Sequence, residues 1–250
     1  MIFFSNFSTG FKSFFSSIKY AWNHKMLFIP ASLLVLVMAA NARILMLLQT
    51  HSIVAKVMLQ IPVMFLTYYF SIFMYAYVKE SLESSTGLFA KAYKTVNSIV
   101  QTNIFVVMII TVIALQAINL YTSSPNPLTP NVGMLIVNMA AMSFVGMYFM
   151  GVIFKMLFAT PKNMILPFIR KYFTQIIGFS FSFGTIIILL AIALILPTQL
   201  IAQANAASQP ILLVILAIRV IPIMIASFTG IAAVMHFLVV SYKKTIETSS

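Results

Sequence analysis

The chain has 250 residues, 62% of them hydrophobic and 7% charged, with 15 Lys and Arg against three acids, a net charge of +12 and a mean hydropathy of +1.05. These values lie outside the soluble range, and no polar stretch is long enough to bury a core of its own, which excludes an appended soluble domain. The lack of cysteine excludes disulfides, thiolate catalysis and Cys-ligated metals, and basic residues that flank apolar runs suit anionic lipid headgroups rather than nucleic acid.

The first 25 residues lack the order of basic region, apolar core and small-residue cleavage site of a signal peptide, and no lipidation motif stands at either end. They read instead as an amphipathic interfacial helix over about 9–24, with Phe7, Phe11, Phe14, Phe15, Ile18 and Trp22 near a 3.6 period and Lys12 and Lys19 off that stripe; the other reading of this and the two later amphipathic segments is an extension of the next span into the cytosol. A first span follows at about 26–42 and a second at about 57–78. A second basic amphipathic segment covers about 86–98, with Leu88, Phe89, Ala92, Tyr93, Val96 and Ile99 on one side and Lys91 and Lys94 elsewhere. Spans three and four are expected at about 99–121 and 132–154, joined by the proline-rich turn 122–131. A third amphipathic segment at about 160–175 carries Ile165, Phe168, Ile169, Tyr172, Phe173 and Ile176 with Arg170 and Lys171. Spans five and six close the chain at about 176–196 and 211–240, with 197–210 as a polar outer loop.

The charges alternate with these spans. Lys12, Lys19 and Lys25, then Lys79, Lys91 and Lys94, then Lys155, Lys162, Arg170 and Lys171, then Lys243 and Lys244 all fall on one side. The other side holds Arg43 and Lys56 in its first loop and no basic residue in 122–131 or 197–210. Positive-inside counting therefore places both termini in the cytosol.

The three amphipathic segments open alike, on Ser8-Thr9-Gly10, Ser85-Thr86-Gly87 and Ala159-Thr160-Pro161. A threonine before a backbone-special residue is a helix N-cap signal. The chain thus reads as three parallel units, each an interfacial helix, an outward span and a returning span. The run Ser81-Leu82-Glu83-Ser84-Ser85-Thr86-Gly87-Leu88-Phe89 behind aromatic residues, and the entry FFSSIKYAWNHKMLFIP at 14–30, resemble bacterial six-span inner-membrane protein families of unknown function. Those families often carry a Gly-Glu pair after span two, where this chain has Lys79-Glu80 and Glu83. The resemblance implies a bacterial inner membrane and no particular activity.

Catalytic equipment is nearly absent. The acids are Glu80, Glu83 and Glu247, all on the cytosolic side, so no intramembrane carboxylate pair is available. His24, His51 and His236 fall on different segments and read as interfacial or hydrogen-bonded residues, with no metal or other cofactor implied. Arg219 is the exception, an ionisable residue inside span six. With Gln60, Gln116, Asn119 and Asn138 it forms a candidate outward vestibule for an anionic or polar solute. The other reading of Arg219 is a side chain that snorkels to outer headgroups.

The expected fold is therefore all-α: six transmembrane helices as three hairpin repeats with cytosolic interfacial helices. Two functions stay open. One is a non-enzymatic inner-membrane protein that organises anionic lipid or a protein partner, a second copy included. Its candidate headgroup contacts are Lys12, Lys19, Lys25, Lys91, Lys94, Lys162, Arg170, Lys171, Lys243 and Lys244. The alternative is a small transporter or channel built around Arg219.

Overall fold

The computed structural model describes residues 2–47, 53–100, 109–110, 113–114, 147–160, 164–204 and 209–248. Among them all regular structure is helical: α1 (Ile2–Asn23), a 3-10 turn (Lys25–Leu27), α2 (Phe28–Leu47), α3 (Ile53–Glu83), α4 (Leu88–Ile99), α5 (Met147–Leu157), α6 (Ile165–Ala204) and α7 (Gln209–Glu247). Among the described residues three segments are long and apolar enough to cross a bilayer: Met58–Glu83, Ile165–Leu190 and Ile221–Glu247. A bent pair, Phe4–Asn23 with Lys25–Ala40, passes the same test as one broken element, its halves meeting at 92°.

That bend has a local cause. His24 leaves the helical region at φ −113° and ψ 59°, and its N–H still donates to the Tyr20 carbonyl at 3.0 Å. Pro30 then sits in the first turn of α2, where a missing N–H costs nothing. Two prolines are carried inside α3 and α7, at Pro62 and Pro222.

Several boundaries differ from the sequence expectation. α1 begins at Ile2, so Thr9 lies inside it and its hydroxyl donates to the Ser5 carbonyl at 2.9 Å instead of capping. At α4 the cap position belongs to Gly87 in the left-handed region (φ 65°), which has no side chain to cap with, and not to the threonine before it. Thr160, which follows Ala159 at φ 49°, stands several residues before the first residue of α6 and so does not occupy that helix's cap position either. The third amphipathic segment and span five form the single helix α6, which continues past Pro197 to Ala204. Residues 197–204 of the expected outer loop are therefore helical. At 1.5 Å per residue a 40-residue helix is about 60 Å long, twice a hydrocarbon core of about 30 Å.

The chain divides into two compact units. The first comprises Met1–Ala31 and Arg170–Ser241. Its core is Phe14 with Phe179, Ala233 and Phe237, flanked by Ile18, Ile176, Phe183 and Ile186. Phe14 meets Phe179 edge-on at 5.2 Å, and Phe179 stacks on Phe237 at 4.7 Å. The crossing of α1 and α6 is a glycine-for-glycine approach: a Cβ at Gly10 would strike the Gln175 carbonyl, and one at Gly178 the Phe7 carbonyl.

The second unit comprises Ser32–Ile169 and Tyr242–Ser250. α3 is buried on every side from Ile72 to Val78. Tyr242 is fully buried against Phe154 (4.7 Å), Phe158 (5.5 Å) and Phe168 (5.7 Å), and its hydroxyl accepts the Met164 N–H at 3.3 Å. α4 folds back on α3 through buried Ala92, Val96 and Ile99, while Phe89 stands 4.9 Å from Phe73. Glu80 accepts from the Thr95 hydroxyl at 3.2 Å and pairs with Lys79 at 3.5 Å, and Lys91 donates to the Ser84 hydroxyl at 2.9 Å.

Candidate functional site

The sequence-derived basic set lies mostly where solvent or headgroups can reach it. Lys12 and Lys19 on α1, Lys25 after it, Lys91 and Lys94 on α4, and Arg170 and Lys171 on α6 are exposed. Lys244 at the end of α7 is exposed and Lys243 half-buried. Lys162 lies outside the described residues.

In the first unit the reason is amphipathic geometry. α1 turns Phe14, Ala21 and Ser17 inward, and the lysines fall off that face. The chain's acids, Glu80, Glu83 and Glu247, all belong to the second unit. The first unit therefore holds Lys12, Lys19, Lys25, Arg170, Lys171 and Arg219, and no carboxylate side chain of its own.

A polar seam ties α1 to α7. Ser17, buried, shares a 2.9 Å hydrogen bond with His236 Nδ1. The Tyr20 ring lies between two imidazoles, 3.9 Å from His236 and 4.1 Å from His24, both in stacked orientation. His24 Nδ1 donates to the Tyr20 carbonyl at 3.0 Å, which fixes its tautomer, since a carbonyl only accepts. The stack holds the two imidazoles on opposite faces of one ring, so they do not converge on a shared ion. No group of three His, Cys, Asp or Glu able to hold a metal occurs among the described residues. His51 lies outside them.

Beside this seam is an apolar pocket of about 360 Å³. Phe14, Ile18 and Trp22 of α1 form one wall, and Phe183 and Ile186 of α6 a second. The third is α7, through Pro222, Ile225, Ala226, Thr229 and Gly230. The Thr229 hydroxyl is already committed to the Ile225 carbonyl at 2.8 Å, so the lining offers a ligand almost no polar partner. Gly230 brings its backbone against the Phe183 ring, where a Cβ would overlap it.

The expected vestibule is not assembled by the described residues. Gln116, Asn119 and Asn138 lie outside them. Arg219 belongs to α7, but its side chain is also outside the described set. Gln60 is described, and it is 2% exposed within α3. The seam and the pocket were not anticipated. Ser17 and Tyr20 share one face of α1 and His24 follows at helical spacing just past its end, which is a signal, but nothing local links that face to His236, 219 residues from Ser17.

Comparison of the chain with protein-family models, with curated proteins and with solved structures finds no match.

Proposed function

We propose that this chain is a non-enzymatic protein of a bacterial inner membrane, with six spans in three repeated hairpins and both termini in the cytosol. It organises anionic lipid, and through lipid or directly a partner protein, by means of its basic cytosolic helices. The observation that carries this reading is the first unit's charge balance: an amphipathic α1, the bend after it and the start of α6 present exposed Lys12, Lys19, Lys25 and Arg170 with no carboxylate side chain in the same unit. Basic residues near a membrane surface attract anionic lipid by about 1 kcal/mol each.

The right-angle bend supports the same reading, because a helix in the headgroup plane that leads into a crossing helix needs a turn of this size. The scarcity of acids argues against proton-coupled transport, which draws on intramembrane carboxylates. The test is lipid selectivity in nanodiscs of mixed phosphatidylglycerol and phosphatidylcholine. Spin-labelled lipids should report anionic enrichment beside the wild-type chain, and the variant with Lys12, Lys19, Arg170 and Lys171 all changed to Gln should lose it. Equal enrichment in both proteins refutes the proposal.

A further inference from the structure

Two walls of the first unit's pocket come from segments long and apolar enough to cross a bilayer. Its α6 wall belongs to the membrane-length segment Ile165–Leu190 and its α7 wall to Ile221–Glu247. Of its lining, Trp22, Pro222 and Ile225 are exposed, so it opens at the surface of the protein and not into a closed core. A volume of about 360 Å³ is at the small end of ligand cavities, about 300–1,000 Å³. A helix is about 10–12 Å across and does not fit. Beside one committed hydroxyl, the side chains of the lining offer a polar solute only the Trp22 indole N–H. A flexible hydrocarbon chain satisfies all of these conditions.

The charges on the pocket's α1 side point to the lipid. Lys19, next in sequence to the pocket-lining Ile18, is turned about 100° from it around the helix, and Lys25 lies at the bend after Trp22, so neither lines the pocket but both belong to the segment that forms its first wall. Both are exposed, and no carboxylate of the same unit competes for them. We infer that this pocket holds an acyl chain of an anionic phospholipid, with the headgroup against the basic residues of α1. This deepens the proposed function and rests on it for the choice of headgroup, while the acyl site rests on the pocket alone.

Trp22 makes the site directly observable, because it is the only tryptophan of the chain and it lines the pocket. The full-length protein in detergent is titrated with phosphatidylglycerol carrying brominated acyl chains, which quench tryptophan on contact, and separately with phosphatidylcholine carrying the same chains. The expected result is saturable quenching in the wild-type protein. Half-saturation should be about fivefold lower for the anionic lipid, which corresponds to about 1 kcal/mol of headgroup attraction. Ala226→Phe fills the pocket from α7 and should abolish saturation, leaving only a linear rise from chains at the outer surface. Ile186→Phe fills it from α6 and serves if the first variant does not fold. Linear quenching in the wild-type protein, unchanged by either variant, overturns the acyl site even where lipid enrichment in nanodiscs persists. Saturation at equal concentrations of the two lipids keeps the acyl site and overturns the headgroup assignment.

Discussion

Phe14 is the residue on which docking of α1 depends. It is 1% exposed, central to the first unit's core, and edge-on to Phe179. In water, burying an aromatic ring is worth several kcal/mol, but on the proposed interfacial placement of α1 an undocked helix stays in the interface, where lipid tails replace protein as the apolar neighbour. Only packing is then lost when Phe14 is cut to Ala. The aromatic pair contributes about 0.5–1.5 kcal/mol and a partly collapsed cavity of order 1 kcal/mol. The sum is about 2 kcal/mol, or roughly 30-fold in the docking equilibrium. Hydrogen exchange in nanodiscs reads this directly. Amides of α1 should exchange roughly 30-fold faster in Phe14→Ala, while α3 and α4, which belong to the other unit, keep their protection. Phe14→Leu should lie in between. Unchanged α1 exchange means the bilayer alone holds that helix, and faster exchange throughout means that Phe14 supports the whole fold; either refutes the reasoning.

Three further outcomes follow from packing. Gly10→Ala puts a Cβ into the Gln175 backbone and should lower the melting temperature, whereas Gly184→Ala meets nothing within 4 Å and should leave it unchanged or slightly raised. Tyr242→Phe, which leaves the Met164 N–H without its acceptor, should cost about 1–3 kcal/mol, and Tyr242→Ala about 3–5 kcal/mol by emptying the cluster around Phe154, both read by chemical denaturation. A double-mutant cycle of Ser17→Ala with His236→Ala should return a coupling of about 0.6 kcal/mol and no more than about 1.7, the range of hydrogen bonds between membrane helices.

How much of this was legible in the sequence depends on whether apolar spacing could distinguish protein from lipid. The 3.6 period at 86–98 identified α4, and three of its stripe residues, Ala92, Val96 and Ile99, are buried. Phe89 and Tyr93, counted on the same stripe, are exposed. On α1 likewise Phe14 is buried, while Phe11, Phe15 and Trp22 are exposed. A chain in a bilayer carries apolar residues toward its core and toward lipid alike, so the spacing gives the helix but not its inner face. Caps were misread because threonine inside a membrane helix can bond to the carbonyl one turn back, as Thr9 does with Ser5. Pro197 was read as the start of a loop, yet α6 runs through it, as proline in membrane helices often permits. The pocket and the Ser17–His236 bond were beyond reach because each joins residues from opposite ends of the chain.

The central claim is that the basic helices face the cytosol, and the missing cysteines allow it to be tested in intact cells. Single cysteines at Ser16 on α1, at Ser85 before α4 and at Asn126 are exposed in turn to a membrane-impermeant thiol reagent, before and after permeabilisation. The account predicts that Asn126→Cys labels from outside, whereas Ser16→Cys and Ser85→Cys label only after permeabilisation. Labelling of Ser16→Cys or Ser85→Cys in intact cells would place the basic helices on the wrong side of the membrane and contradict it.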